Sequence, residues 1–290
     1  MKLRKLSAGF GAEADAIPPD FGEVWDAFFA SQVLVFRNQR FTPAEFLSFA
    51  RQFGKPEPHV IDQFHHPEQS DILILSNVQK DGQPIGLADA GTYFHTDYSY
   101  LDVPARCTTL YSIQVPKKGG DTLFANQYAA YDDLSSSLKT QIKDLVALHH
   151  YGNRDDQDKS SRTVASVLTE EQEGKLAWVR HKVARKHPVT GRTALYAVSG
   201  SSFRIEGMPD DEAVDLLDEL KRHSTQEKYQ LRLKYGIGDV VVWDNASLLH
   251  SATLVDPAHP RTLWRITLKE PAPAGRAEAI LATAFAGGSM

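Results

Sequence analysis

The chain has 290 residues, of which 42% are hydrophobic, and its formal net charge is −5. So mild a negative charge argues against a general nucleic-acid binder, which would carry a basic excess. The single cysteine, Cys107, excludes an intrachain disulfide and a cysteine-based zinc or iron–sulfur site, and it fits a reducing compartment. Because no stretch has the length and apolarity of a signal peptide or a membrane span, we expect a soluble cytoplasmic protein without a membrane partner.

Hydrophobic periodicity and turn residues predict many short strands with a few helices between them. In chain order, the predicted elements are a helix at 20–29, a strand at 33–36, a helix from Thr42 that stops before Gly54, strands at 72–75, 107–115 and 122–124, a helix at 134–149, two strands within 183–198, a helix at 210–223, and strands at 229–233, 239–243 and 262–268. This order predicts one β-sandwich or jelly-roll body decorated by helices. The last 18 residues, 273–290, are expected to form a loose tail.

One stretch without periodicity lies just before the most informative motif. Residues Gln79 to Gly91 are rich in glycine, aspartate and proline, and they lead directly to the segment from Phe94 to Asp97. A long loop beside a candidate site is often a lid. We therefore expect the loop to be mobile without ligand and to have little contact with the core.

His95 and Asp97 are candidate metal ligands because they are two residues apart. If the segment is a strand, both side chains point to the same side. Two histidines and one carboxylate on one face of an octahedron suit non-haem Fe(II), because substrate and dioxygen can take the remaining positions. His250 is the candidate third ligand, whereas Asp244 is interpreted as the cap of the turn before it. The alternative for an isolated His-x-Asp is a buried histidine bonded to a nearby aspartate.

Two arginines share one face of the last predicted strand. Arg261 and Arg265 are four residues apart, so they point to the same side as Leu263, whereas Trp264 points to the other side. Buried guanidinium groups need anions, and arginine suits bidentate capture of carboxylates. The alternative is a pair of internal salt bridges.

These residues belong to a longer ordered set of short motifs. The set comprises 33–37, Phe53-Gly54, His95-Thr96-Asp97, Gly119-Gly120-Asp121-Thr122, Ala130-Tyr131, 187–191 with Leu195-Tyr196, Trp243-Asp244-Asn245, His250, Arg261 and Arg265. In this order and at these separations the chain resembles the taurine/2-oxoglutarate dioxygenase family over nearly its whole length. The resemblance implies a mainly β fold with helical insertions (α+β), a double-stranded β-helix or cupin-like jelly roll, in one domain spanning 1–290.

The resemblance also implies roles for individual residues. His95, Asp97 and His250 match the iron ligands, and Arg261 with Thr122 matches the pair that holds 2-oxoglutarate. Arg265 matches a position that binds the anionic group of the primary substrate in several members. Three further positions are candidate substrate contacts with weaker matches: Asn77, His59 and Phe94. Asn77 has the alternative role of a turn residue, and Phe94 stands where many members have tryptophan.

The implied chemistry uses Fe(II), 2-oxoglutarate and O2. Oxidative decarboxylation of 2-oxoglutarate to succinate and CO2 would be coupled to hydroxylation of a small anion such as a sulfonate, a sulfate ester or an aryloxy acid. Substrate-binding loops are expected at 55–66, 78–94 and 152–170, and family members are commonly dimers or tetramers. The open alternatives are desaturation or ring formation by the same chemistry, a zinc hydrolase, and a non-catalytic cupin-like binding protein.

Overall fold

The structure is a computed structural model that describes residues 1–7, 9–88, 90–152 and 168–269. Its strands are β1 (Leu3–Lys5), β2 (Ala12–Ala14), β3 (Val33–Phe36), β4 (His65–His66), β5 (Gln69–Ser76), β6 (Gln79–Lys80), β7 (Gln83–Pro84), β8 (Cys107–Gln114), β9 (Thr122–Asn126), β10 (Val146–His149), β11 (Val179–Lys182), β12 (Ala184–Lys186), β13 (Thr193–Leu195), β14 (Ser202–Ile205), β15 (Gln230–Leu233), β16 (Val240–Asp244), β17 (Leu248–Ala252) and β18 (Thr262–Leu268). Its helices are α1 (Phe21–Ser31), α2 (Pro43–Arg51), α3 (Gln127–Asp132), α4 (Ser136–Ile142), α5 (Glu170–Glu173) and α6 (Asp210–Ser224). None of these helices is both long and apolar enough to cross a membrane.

The first two helices begin where local sequence signals predict. The side chain of Asp20 accepts a hydrogen bond from the backbone N–H of Gly22 at the start of α1. Thr42 and Glu45 form a reciprocal capping box at the start of α2, which also carries Pro43 in its first turn. Both helix starts are therefore determined by neighbouring residues alone.

Two sheets form the body of the molecule. The larger has eight strands in the order β1-β2-β3-β16-β8-β18-β5-β4, and all its pairs except β2 with β3 are antiparallel. The smaller has three antiparallel strands in the order β15-β9-β17. Strands that are distant in sequence are thus neighbours in both sheets, which brings β8, β16 and β18 together at the centre of the larger one.

Three clusters of buried side chains fill the spaces between the helices and the two sheets. The outer core lies between α1, α2 and one face of the larger sheet, and includes Phe28, Phe36, Phe46, Val242 and Ile266. The central core lies between the two sheets, and includes Val35, Leu110, Phe124, Trp243 and Leu263. The rear core covers the other face of the smaller sheet, and includes Ala125, Ile142, Leu217, Leu220 and Leu249.

Strand periodicity assigns Arg265 of β18 to the central layer. Leu263 belongs to the central core, whereas Ile266 belongs to the outer core. Because side chains alternate along a strand, Arg265 lies on the same face as Leu263, as the sequence predicts. The inner face of the larger sheet therefore combines apolar packing with a buried guanidinium group.

The predicted helix at 134–149 is wrong in its second half. Helix α4 ends at Ile142, and the chain then forms β10, which pairs with β11 on one side and β14 on the other. Burial alternates along β10, where Ala147 and His149 are buried and Leu148 is only half-buried. Backbone pairing with two distant strands outweighs the local apolar stripe that predicted a helix.

The expectation that 79–91 has little core contact is also wrong. Strands β6 and β7 form a short hairpin, and the buried Leu87 exchanges backbone hydrogen bonds with Ile74 and Ser76 of β5. The carbonyl of Gly91 accepts a bond of 2.7 Å from the backbone N–H of Ala252. Both ends of the segment are thus tied to the sheets, and its role as a lid stays a prediction.

The other predicted helices and strands are present to within a few residues, including the pair β12 and β13 within 183–198. The tail at 273–290 and residues 153–167 of the predicted substrate loop lie outside the described residues.

Candidate active site

His95 and His250 face each other across an isolated antiparallel bridge. The backbone N–H of each donates to the carbonyl of the other, at 2.9 and 2.8 Å. The prediction that 94–97 is a strand is wrong, since only His95 is bridged and Asp97 begins a turn. Tyr98 has a φ of +54°, a left-handed conformation that ends the extended segment directly after Asp97.

The three predicted ligand side chains converge at one point. Nε2 of His95 lies 3.8 Å from Oδ1 of Asp97, and Nε2 of His250 lies 3.6 Å from Oδ2. One ligand atom from each residue lies within 4.8 Å of the others. These separations are too long for hydrogen bonds and comparable with those between atoms that share one metal ion.

The orientation of the His95 ring is fixed on both sides. Its Nδ1 donates to the carbonyl oxygen of Tyr93 at 2.8 Å, which leaves the lone pair on Nε2 for a metal ion. Gly91 and Gly200 pack against His95, and both have positive φ. A Cβ on Gly91 would lie 2.5 Å from Cε1 and 3.1 Å from Nε2 of His95, so glycine keeps the ligand side of the ring open.

Burial and mutual contacts hold all three groups in their metal-binding forms. Burial lowers the pKa of His95, and burial together with His95 lowers the pKa of His250 to about 3, so both rings are neutral. Burial on its own raises the pKa of Asp97, but the charge of Arg265 and the contacts with both rings and with Thr108 outweigh it and hold that pKa well below its usual range. Two neutral imidazoles and an ionised carboxylate are the donor set that fits non-haem Fe(II).

Replacing Gly91 with alanine is expected to abolish or strongly weaken metal binding, because the new methyl group must displace the His95 ring. Titration of the apoprotein with Mn(II) measures the effect. Gly82→Ala is the matched control, since Gly82 also has positive φ, but a methyl group there would meet no atom within 4 Å beyond its neighbours in the chain. Unchanged Mn(II) affinity in Gly91→Ala would contradict the arrangement.

Arg265 pairs with Asp97. Its Nη1 lies 3.4 Å from Oδ1 of Asp97, whereas its Nη2 is buried with no hydrogen-bond partner among the described residues. The Arg265 guanidinium carbon lies 5.9 Å from the centre of the Tyr98 ring. The internal ion pair that the sequence leaves open is thus present, and it accounts for one side of the guanidinium group only.

Arg261, the residue directly before β18, lies in a second polar group. Gly120 is so close that a Cβ there would lie 3.0 Å from Cδ and 3.1 Å from Nε of Arg261. The hydroxyls of Thr122 and Tyr235 are hydrogen-bonded at 2.7 Å. Burial raises the pKa of Tyr235 to about 12, and the nearby charge of Arg261 opposes that rise. A cation beside two hydroxyls is suited to bind a carboxylate.

The three weaker candidates occupy different surroundings. The side chain of Asn77 accepts from the backbone N–H of Arg261 at 2.8 Å and donates to the carbonyl of His259 at 2.9 Å, so it fixes the chain around Arg261. The ring of His59 lies 5.8 Å from that of Tyr98, on the side of the site where Arg265 lies. Phe94 packs against the rear core.

Sequence reasoning missed several partners of the site. Tyr235 joins Thr122 and Arg261 from a loop after β15, and no local pattern marks it. Thr108 donates to Asp97 at 2.6 Å, and Asn245 donates to Thr108 at 2.9 Å. The local signal for these two contacts is the Trp243-Asp244-Asn245 motif, in which the sequence predicts a role for Asp244 alone. Asp244 does cap its turn, accepting from the Ala246 N–H at 3.1 Å.

Comparison with known proteins gives a consistent result. Residues 2–267 match the family model described as "Taurine catabolism dioxygenase TauD, TfdA family". The chain is 31% identical to pentalenolactone F synthase of Streptomyces arenae, with 89% of each chain covered. It is 32% identical to the alpha-ketoglutarate-dependent 2,4-dichlorophenoxyacetate dioxygenase of Burkholderia sp. (strain RASC), with 86% of each chain covered.

A solved structure is similar to the fold as a whole. The crystal structure of AAD-2 in complex with Mn(II) and N-oxalylglycine superposes with a TM-score of 0.78 at 29% sequence identity. The match covers 94% of this chain and 100% of that one. The similarity therefore extends over both sheets and the site between them.

Proposed function

Because the chain belongs to the TauD, TfdA family of dioxygenases, we propose that His95, Asp97 and His250 hold Fe(II), while Arg261 and Thr122 hold 2-oxoglutarate. The protein is a 2-oxoglutarate-dependent dioxygenase that uses Fe(II), 2-oxoglutarate and O2 and hydroxylates a small organic anion, releasing succinate and CO2. The observation that carries the residue assignment is the convergence of the three ligand side chains within 4.8 Å. Bound Fe(II) supplies the redox chemistry that couples 2-oxoglutarate decarboxylation to C–H hydroxylation.

The chain's own residues bind and orient the reactants around the metal. The Arg261 guanidinium pairs with the distal carboxylate of 2-oxoglutarate, and the Thr122 hydroxyl donates to the same carboxylate. The Tyr235 hydroxyl, bonded to Thr122, completes this end of the pocket. Charge-assisted hydrogen bonds in a buried site give both affinity and a fixed direction. The end of the keto acid opposite its distal carboxylate is therefore directed toward the metal site.

We propose that the anionic group of the primary substrate binds Nη2 of Arg265. The other nitrogen, Nη1, is directed at Asp97, so an anion on Nη2 lies next to the metal centre. Such an anchor places a neighbouring C–H bond close to the oxidant and excludes neutral competitors. His59 stays a predicted substrate contact at the edge of this subsite. Phe94 also stays a predicted contact, although its side chain packs against the rear core.

The surroundings of Arg265 favour an aryloxy acid among the predicted substrate classes. Rings follow one another from this arginine outwards, with 5.7 Å between the centres of Tyr98 and Tyr100 and 4.9 Å between those of Tyr100 and Tyr151. Tyr100 and Tyr151 are partly exposed and offer faces to an aromatic ring. The relative that acts on 2,4-dichlorophenoxyacetate supports this class.

A second candidate function is ring formation or desaturation in a biosynthetic pathway by the same iron chemistry. The similarity to pentalenolactone F synthase favours it. Product analysis separates the two, since hydroxylation beside the ether oxygen of an aryloxy acid releases a phenol. A zinc hydrolase would form no succinate.

The remaining sequence predictions concern organisation. We propose that the larger and smaller sheets form a double-stranded β-helix, a cupin-like jelly roll, because they face each other across one shared core. A single domain over 1–290, a dimeric or tetrameric assembly and a cytoplasmic location stay predictions from composition and family resemblance.

The test is O2-dependent succinate formation from 2-oxoglutarate with Fe(II), screened over aryloxy acids, sulfonates and sulfate esters. Arg265→Gln is expected to lower the substrate-dependent rate roughly 30-fold or more, because the buried charge pair between Arg265 and the substrate anion is lost. Slow substrate-independent decarboxylation of 2-oxoglutarate should persist. Arg204→Gln is the control, since Arg204 is exposed and pairs with Asp210 on the surface. A neutral or cationic best substrate, unaffected by Arg265→Gln, would overturn the assignment.

A further inference from the structure

The carboxylate of Asp97 is the end of a chain of buried hydrogen bonds. The hydroxyl of Thr108 donates to Oδ2 of Asp97 at 2.6 Å, and Nδ2 of Asn245 donates to Oγ1 of Thr108 at 2.9 Å. Nε1 of Trp243 in turn donates to Oδ1 of Asn245 at 2.9 Å. All four residues are at most 4% exposed, so these bonds are shielded from competing solvent.

The direction of this chain is determined at both ends. An indole N–H can only donate, so the oxygen of the Asn245 amide must face Trp243 and its NH2 group must face Thr108. Because the Thr108 oxygen accepts from that NH2 group, its single proton is directed to Asp97. An ionised carboxylate can only accept, so no other arrangement satisfies every member.

The hydrogen-bond chain is also built on central strands of the larger sheet. Trp243 on β16 pairs in register with Thr108 on β8, at the centre of that sheet. The backbone N–H of Asn245 donates to the carbonyl of Arg106 at 2.8 Å. The Trp243 ring also packs against His250, with 4.7 Å between ring centres. Trp243 therefore contacts one proposed ligand, His250, directly and a second, Asp97, through the hydrogen bonds of Asn245 and Thr108.

We propose that Thr108, Asn245 and Trp243 are positioning residues that fix the rotation of the Asp97 carboxylate and thereby set its affinity for the metal. Arg265 restrains Oδ1, and Thr108 restrains Oδ2. The carboxylate is therefore held in a metal-binding orientation before the ion arrives. This inference rests on the proposed metal site and adds to it residues that contact no metal or substrate.

The test is Mn(II) binding to the apoprotein, followed by calorimetry or electron paramagnetic resonance, which requires no turnover. Thr108→Val is expected to weaken Mn(II) binding about 10- to 100-fold, the usual effect of removing a partner of a metal ligand. Thr108→Ser, which retains the hydroxyl, is expected to bind within about threefold of the unmodified protein. Thr109→Val is the matched control, because it removes a buried hydroxyl from the neighbouring position of β8, bonded to the carbonyl of Ile266 instead.

The far end of the chain is tested by Trp243→Phe, which keeps a ring beside His250 but removes the N–H. Alone it is expected to weaken Mn(II) binding about three- to tenfold, whereas on the Thr108→Val background it should have no further effect. If Thr108→Val does not fold, Trp243→Phe on its own still tests the proposal. Affinity unchanged in Thr108→Val or in Trp243→Phe, or an equal loss in Thr109→Val, overturns the proposal. Failure of the unmodified apoprotein to bind Mn(II) instead overturns the proposed metal site.

Discussion

Asp97→Ala is expected to abolish turnover and to remove most of the affinity for Fe(II), and His95→Ala and His250→Ala are expected to do the same. A site with three protein ligands has no spare donor, so removal of any one side chain leaves only two ligands to hold the ion. The aspartate variant has a second consequence, because Arg265 then stays buried without its carboxylate. Leaving one member of a buried ion pair without its partner lowers the free energy of unfolding by about 3–5 kcal/mol.

Metal binding and turnover should therefore be measured together with thermal unfolding. Asp97→Asn removes the same charge as Asp97→Ala but keeps the shape and a hydrogen-bond acceptor for Thr108, so comparing the two variants separates the loss of the carboxylate charge from the loss of the side chain. His66→Ala is the histidine control, because His66 packs edge-on against Trp264 and away from the site. Full activity in any one of the three alanine variants would remove that residue from the proposed ligand set.

Local signals account for the parts of the fold that the sequence predicts well. The N-cap of α1 and the capping box of α2 depend on residues within four positions of each other. Strand β3 is a continuous apolar run, and β18 alternates between two buried faces. In each case the side chains that determine the element are neighbours in sequence, so no knowledge of the tertiary structure is needed.

The error at 134–149 has the opposite origin. Leu138, Ile142, Leu145 and Leu148 form an apolar stripe that a helix would bury, and α4 uses the first half of it. The second half becomes β10 because β11 and β14 supply backbone partners on both sides. Those strands lie 30 residues or more away along the chain, so the outcome depends on tertiary contacts that a local pattern does not contain.

The candidate site divides in the same way. The spacing of His95 and Asp97 is a local signal. Their side chains do converge, even though the predicted strand does not form. His250 is a candidate third ligand from the residue pattern, whereas the separate roles of Arg261 and Arg265 needed the family resemblance. Contacts between distant strands create the pair between Arg265 and Asp97, the position of Tyr235 beside Thr122, and the hydrogen bonds from Asn245 through Thr108.

Arg261→Leu is expected to raise the apparent KM for 2-oxoglutarate by roughly 30-fold or more, because a broken buried charge pair costs about 2–5 kcal/mol. Leucine retains the apolar part of the side chain that packs against Gly120 but removes the guanidinium group. The rate at saturating 2-oxoglutarate should fall less than the apparent affinity, since the proposed role of Arg261 is to hold the distal carboxylate, away from the reacting atoms.

The measurement is succinate formation at varied 2-oxoglutarate, with Mn(II) binding to the apoprotein as a check that the metal site is intact. Arg232→Leu is the matched control. Arg232 bonds Asp121, which adjoins Thr122, at 2.6 Å, but its side chain is 57% exposed, so its loss should leave the 2-oxoglutarate dependence nearly unchanged. Thr122→Val and Tyr235→Phe should each raise the apparent KM by a smaller factor, since each removes a neutral hydroxyl group rather than a full charge.

The opposite result would be equally informative, because Arg261 directly precedes β18 and Arg265 lies within it, four residues further along the chain. If Arg261→Leu leaves the 2-oxoglutarate dependence unchanged and weakens only primary-substrate binding, the roles of Arg261 and Arg265 are exchanged. The keto acid would then be held beside Asp97 by Arg265, and the primary substrate would reach the site past Tyr235 and Gly120. The pair of variants thus determines which end of the strand binds which anion, independently of whether the metal ligands are correctly assigned.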